Sequence, residues 1–478
     1  MKPFRILLFI VTAIGLLVLM AYLFPTDGVQ LIGINLKFPS IEKIITPKAE
    51  ELNVTDYLAQ EKVENESQRH LASLQDSVEH YRAKQQEGDA RFWFPDNDGD
   101  FFLPLMAQLQ NAKEQGRTIR IVHYGDSQIE MDRMTSRLRR YMQKNFGGGG
   151  PGMIPLRQVI NTPAVSLSTT GTLRYMAPYG DSSVSRCDGH YGPLVHSHRI
   201  EGQASTTITA SNSRYADSAV MAFNSLRLIF GNRFGPLYVT ADSKYGESIE
   251  QCEDTEGVQL MEWYFPHPVG RVTLTMSGEA DLYGIMVDNG PGVAVDNIPM
   301  RGCSGQQFSL IDATELKASY DYMDVGMIIL QFGGNSVPYI RGEQALATYG
   351  RSLGRQIDRL RRCCPDALIL FIGPSDMSTT IDGETMTYPY LPSIVAGIRD
   401  SVTAHGAAYW SLYDAMGGYG SMTAWVHQGL AGADHIHFTQ QGADMMGDRL
   451  VESIDIAYHY FLLRQRWEVS QAMTENQL

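Results

Sequence analysis

The sequence predicts an α/β fold: a flavodoxin-like, doubly wound parallel sheet, interrupted by an all-β sandwich and preceded by a transmembrane helix. Three observations carry this expectation. Apolar runs rich in β-branched residues recur at 119–123, 293–297, 327–332, 368–372 and 407–412, each with turn residues or a helical pattern behind it, as parallel strands with helical crossovers require. Roughly 170 residues separate the first run from the second, far more than one crossover helix needs. Between about 155 and 288 the pattern changes to short alternating runs such as TTITAS, SLRLIFG, PLYVTAD and GRVTLTMSG, which is sandwich material.

At the N-terminus, residues 6–24 carry no charge, and about 19 residues make a helix of roughly 28 Å, enough to cross a bilayer. Lys2 and Arg5 precede the run and Asp27 follows it, which places the rest of the chain outside the cytoplasm by the positive-inside rule. The run is long for a cleaved signal peptide and no small-x-small site ends it, so residues 1–25 read as an anchor, with a cleaved signal peptide as the alternative. Residues 26–89 read as a stalk with a charged helix from about 56 to 86. Asp96, Asp98 and Asp100 begin like a calcium loop, but Ala107 stands where the glutamate at loop position twelve belongs, so a turn before a helix is expected.

The first core strand ends in His123-Tyr-Gly-Asp-Ser127 and a helical pattern follows. A serine where a buried strand breaks into a helix is exposed at the sheet edge beside free helix amides, a useful place for a nucleophile. Asp126 reads as the helix-entry cap, and His123 as a satisfied strand-end histidine. Gly147 to Gly150 has no following Lys-Ser or Lys-Thr, so it is no phosphate loop and is expected to form a flexible rim. The second strand leads into MRGCSG, with Gly302 preferred over Gly305 as a backbone donor because it lies nearer the strand end. The third ends in Gly333-Gly334-Asn335, and Asp434-His-Ile-His437 precedes the last helix.

Acyl transfer to a serine needs a base, a carboxylate that orients it, and donors aimed at the oxyanion. Ser127, His437 and Asp434 supply the first set, since a three-residue spacing lets carboxylate and imidazole point the same way across one turn. The Ser127 amide, the Gly302 amide and the Asn335 side chain supply the second. In sheet order 2-1-3-4-5, Ser127 falls between Gly302 and Asn335 at the switch point where ligands bind. The His435-x-His437 pair lacks a supporting Cys or acidic cluster, so no metal and no cofactor are expected. Cys187 and Cys252 both fall in the insertion and are a candidate disulfide in an oxidising compartment, whereas Cys303 and the vicinal Cys363-Cys364 have no metal spacing. A net charge of −14 argues against nucleic acid as a partner.

The four blocks, Gly-Asp-Ser127, Gly302, Gly333-Gly334-Asn335 and Asp434-x-x-His437, resemble in order those of the SGNH, or GDSL, hydrolases. The insertion between the first and second, closed by LYGIMVDNGPGVAVDNIPMRG, is similar to the peptidoglycan O-acetyl esterase and O-acetyltransferase branch, where the sandwich resembles a carbohydrate-binding module. The resemblance covers roughly residues 90–460. It departs at Pro299 and Arg301, where Gly and a small polar residue are expected. It implies an SGNH domain from 90–154 and 289–465, an inserted, glycan-binding sandwich at 155–288, and a membrane-anchored serine esterase acting on O-acetyl groups of envelope polysaccharide, peptidoglycan first, through an acyl-enzyme. Two alternatives stand beside it: an O-acetyltransferase with the same triad, partnered by a polytopic membrane acyltransferase, and a non-catalytic glycan-binding protein on a hydrolase scaffold.

Overall fold

The computed structural model describes residues 3–25, 28–31, 34–39, 54–211, 218–253 and 256–475. The chain falls into two compact units, one reaching to Ser73 and taking in the C-terminal residues from Val469, the other Leu74–Glu468. In the first unit, helix Pro3–Leu23 is apolar along its length, and its residues 4–23 are long and apolar enough to cross a membrane. A small antiparallel pair, Val29–Leu31 with Ile34–Leu36, follows it. Lys2 and Asp27, two of the charges that flank the apolar run, lie outside the described residues, as do residues 40–53 of the expected stalk. The charged helix spans Val54–Lys84.

The second unit is built on five parallel strands: β1 (Thr118–Gly125), β2 (Gly292–Pro299), β3 (Val325–Gln331), β4 (Leu368–Ile372) and β5 (Ala408–Trp410). Their order is β2-β1-β3-β4-β5, as the doubly wound fold requires. The continuous apolar runs follow from burial on both faces. Val122, Tyr124, Ile328 and Leu330 enter one core, while Ile119, Ile121, Met327 and Ile329 enter the other, because successive residues of a strand point to opposite faces. Helices Ala313–Met323, Glu343–Cys363 and Leu391–Ala404 cover the first face, and Leu103–Ala112, Thr135–Phe146 and Gln440–Glu475 the second.

A sixth strand, Phe92–Trp93, pairs antiparallel with the outer edge of β5. Two residues carry no periodicity, so the sequence gives no sign of it. Trp93 packs edge-on to Tyr409.

The insertion is an antiparallel sheet organised by one long strand, Arg271–Asp288. Its first half pairs with Ser197–Ala210 and Leu237–Ser243, its second with Phe223–Gly231 and Gly152–Ile154. Val272, Leu274 and Met276 point into the apolar core of the insertion, and the threonines between them do not.

Three features differ from the sequence expectation. Gly147 to Gly150 is not a flexible rim: the Val293 amide donates to the Gly147 carbonyl, the Asn289 amide to that of Gly149, and the Gly150 amide to Ala219. A side chain at Gly148 or Gly150 would strike the backbone of Val293 or Val287, so glycine is required by close approach of two chains. No disulfide bridges Cys187 and Cys252; the Cys187 thiol donates to the His190 carbonyl. A buried ion cluster, invisible in the sequence, stitches insertion to core. Arg120 on β1 reaches Asp296 on β2 at 2.6 Å and Asp288 at the end of the long strand at 2.5 Å, and Asp296 also accepts from the Met153 amide.

The PDNDGD segment forms a turn in which Asp98 accepts from the Asp100 amide, and Asp100 pairs with Arg82 and Tyr460.

Candidate active site

Ser127 begins a short 3-10 segment, Ser127–Asp132, directly beyond the end of β1. Asp126 caps it, accepting from the Gln128 amide at 3.0 Å, which satisfies one of the free donors of the first turn. The Ser127 Oγ lies 2.8 Å from His437 Nε2, and His437 Nδ1 lies 2.7 Å from Asp434 Oδ2. With Nδ1 donating to the carboxylate, Nε2 is the acceptor for the serine proton. The other Asp434 oxygen accepts from the amides of Ile436 and His437. Against partial burial, the His437 ring and these amides hold Asp434 below the ordinary carboxylate range. His437 is thus committed to Ser127 and Asp434, and among the described residues no cluster of three His, Cys, Asp or Glu is placed to hold a metal.

Asn335 lies in the segment Gly334–Tyr339 that follows β3. Its Nδ2 donates to the Cys303 carbonyl at 3.0 Å and to Asp126 Oδ2 at 3.4 Å. Gly302 borders the same cleft, which has a volume of about 580 Å³ and is also lined by Arg133, Arg301, Pro338, Tyr339 and Ile436. Gly302 has φ +74 with open space beside it, so backbone conformation, not crowding, calls for glycine. Gly305 is packed instead against the ring of Phe332, where a Cβ would sit 2.9 Å away. Of the two rivals for the loop, Gly302 therefore faces the cleft.

Burial pushes Asp126 from 3.8 up to about 6, with Glu130 acting in the same direction and the Gln128 amide and His437 opposing. His123 is buried between Gln331 and Thr135 at 3.1 and 2.9 Å, and burial pushes its imidazole down to about 3. It is a neutral strut beneath the site.

Sequence reasoning missed three side chains that hold this arrangement. Gln128 donates to the Ile436 carbonyl at 2.6 Å and accepts from the Phe438 amide at 3.3 Å, clasping the loop of His437 from both sides. Arg301 forms a bidentate pair with Glu130. It is thus a working part of the loop where the family pattern expected a small residue. Proximity to Ser127 was the only signal for Gln128 and Glu130, and nothing in the sequence named their partners.

The solved structure of a peptidoglycan O-acetylesterase matches 76% of this chain and 96% of its own, with 21% sequence identity and a TM-score of 0.60. The chain shares the fold of that structure. A family two carbohydrate esterase from Cellvibrio japonicus matches 62% of this chain and 99% of its own at 12% identity, TM-score 0.24. The periplasmic domain of a lipopolysaccharide acetyltransferase from Salmonella ser. Paratyphi A matches 34% and 73%, at 14% identity and TM-score 0.25. These two TM-scores are too low to add to the fold assignment. No protein-family model matches the sequence, and no curated protein does.

Proposed function

We propose that the chain is a serine esterase that removes O-acetyl groups from envelope polysaccharide, with peptidoglycan as the first candidate. The observation that carries this reading is the continuous line Ser127–His437–Asp434, at 2.8 and 2.7 Å, opening on a cleft at the switch point of the sheet. The likeness of fold to a peptidoglycan O-acetylesterase supports the choice of substrate. The apolar N-terminal helix, with Arg5 on its leading side, supports a membrane-anchored enzyme whose catalytic part lies outside the cytoplasm.

In this mechanism Ser127 Oγ attacks the acetyl carbonyl as its proton passes to His437 Nε2. Asp434 stabilises the imidazolium that forms. The carbonyl oxygen becomes negative, and the amides of Ser127 and Gly302 and the side chain of Asn335 take up that charge. Collapse breaks the bond to the sugar oxygen, which takes the proton from His437 and departs, leaving acetyl-Ser127. Water attacks in turn, gives a proton to His437, and releases acetate and free Ser127. A sugar hydroxyl in place of that water makes the same site a transferase.

Incubating the full chain in neutral detergent with O-acetylated peptidoglycan, acetylated xylan and their deacetylated controls tests this. Release of acetate from peptidoglycan, abolished in Ser127→Ala, is the expected result. Acetate from xylan alone overturns the substrate, acetyl transfer to an added glycan without free acetate overturns hydrolysis, and no acetyl chemistry on any substrate overturns the reading.

A further inference from the structure

Outside the cleft, helix Glu343–Cys363 carries a group of arginines. Arg355, Arg359 and Arg362 are spaced by four and three residues, so they share one face of the helix and span about 10 Å along it. With Gln306 and Ser309 opposite, they wall a groove of about 500 Å³. The protein as a whole carries −14, so three neighbouring cations with a single acid among them are not its ordinary surface. Arg355 and Arg362 are exposed, and among the described residues neither has a carboxylate partner. Arg359 donates to the Ile311 carbonyl through one nitrogen, while its Nε is buried with no hydrogen-bond partner. The one acid lining the groove, Asp358, is engaged by His405 Nδ1 at 2.9 Å.

We propose that this groove binds an acidic polysaccharide chain through carboxylate–guanidinium contacts. Guanidinium forks match planar carboxylates and, being weakly hydrated, lose little on giving up water. The groove is concave and bounded on its far side by a fixed wall: the Ser309 amide donates to Gln356 Oε1 at 2.9 Å and ties the 306–309 segment to the helix. A narrow polymer enters such a groove and a flat bilayer does not. The same loop also leads to the cleft. Gly302 lies a few residues upstream, and Tyr349 of the arginine helix donates to the Ser304 carbonyl at 2.8 Å, so a chain held by the arginines lies along the loop that borders the cleft. The inference goes beyond the esterase reading, because it concerns binding and is tested without turnover.

The test is titration of the full chain in neutral detergent with fluorescent oligogalacturonate, and with a neutral cello-oligosaccharide of equal length. Wild type is expected to bind the acidic oligomer, more weakly as salt rises, and not the neutral one. The double variant Arg355→Gln with Arg362→Gln is expected to weaken binding about 10-fold and flatten the salt dependence, with an unchanged melting temperature because both side chains are exposed. Arg355→Lys with Arg362→Lys should retain the salt dependence but lose part of the affinity. Equal binding of both oligomers, or wild-type affinity in the glutamine variant, overturns the proposal. So does loss of binding to phosphatidylglycerol vesicles in that variant when oligogalacturonate never bound, which would make the groove a lipid contact. If the double variant melts early, the single Arg362→Gln, read the same way, decides the matter.

Discussion

Arg301 and Glu130 meet in a bidentate ion pair, at 2.6 and 2.7 Å, that ties the loop bearing Gly302 to the segment bearing Ser127. Glu130 is nearly buried while Arg301 lies 71% exposed, so water screens the pair and its worth to overall stability is small. Its effect is geometric: it fixes the distance between Ser127 at the end of β1 and Gly302 beyond β2, the proposed nucleophile and backbone donor. Arg301→Ala should therefore lower kcat on a small acetyl ester about 10-fold, because even an ångström of misplacement is costly, while the melting temperature stays within a few degrees. Glu130→Gln should cost about as much, and the double variant no more than either single one. Additive losses would show that the two side chains act separately.

Asn335 gives its amide protons to the Cys303 carbonyl and, at longer range, to Asp126. In the proposed mechanism the weaker of these bonds is the one that an oxyanion displaces. Asn335→Ala should lower kcat by roughly 10²-fold to 10³-fold with a much smaller change in KM, as loss of one oxyanion donor does. Asn335→Asp should be at least as poor, since its carboxylate faces both Asp126 and the developing negative charge. Activity that falls only in step with melting temperature would reduce Asn335 to a brace for its turn.

Asp126 makes stability depend on pH in the opposite sense to a salt-bridged carboxylate. Its folded pKa is raised from 3.8 to about 6, so the native state holds the proton more tightly than the unfolded chain. Stability contributed by the neutral acid is complete below about pH 4, lost as pH rises toward 6, and absent above that. Asp126→Asn keeps an oxygen to cap the Gln128 amide and has no charge to bury. It should be more stable than wild type at pH 7, by up to roughly 3 kcal/mol at 1.36 kcal/mol per unit, and equal to it below pH 4. Urea unfolding from pH 3.5 to 8 measures this, and a difference independent of pH would contradict it.

Arg120 is fully buried between Asp288 and Asp296. Removing it strands two carboxylates away from water, so Arg120→Met should cost about 3–5 kcal/mol. Adding Asp288→Asn and Asp296→Asn should recover part of that loss. If Arg120→Met unfolds in urea like wild type, the cluster does not stitch the insertion to the sheet.

The sheet was legible because its strands are buried on both faces: 119–123 and 327–332 are mostly apolar on both faces, broken only by the buried Arg120, His123 and Gln331, and this marks them without any partner. The same pattern put Ser127 at a strand end and, through strand order, between Gly302 and Asn335. Other features had no local signal. Phe92–Trp93 is too short to show a period. Gly147 to Gly150 looked like a loose loop because nothing near it in sequence reveals that Val293 and Val287 cross it so closely that a side chain at Gly148 or Gly150 would strike them.

The sequence by itself determined the order of elements, the parallel sheet and the positions of Ser127, Asn335, Asp434 and His437 along it, since each depends on residues within one strand or turn. Only the tertiary structure decided that Gly302 rather than Gly305 faces the cleft, that Gln128 clasps the loop of His437, and that Arg301 pairs with Glu130. Those partners lie 308 and 171 residues apart for Gln128–Ile436 and Arg301–Glu130. Their meeting depends on how loops close over a packed sheet and which rotamers the packing allows, and neither is written in spacing along the chain.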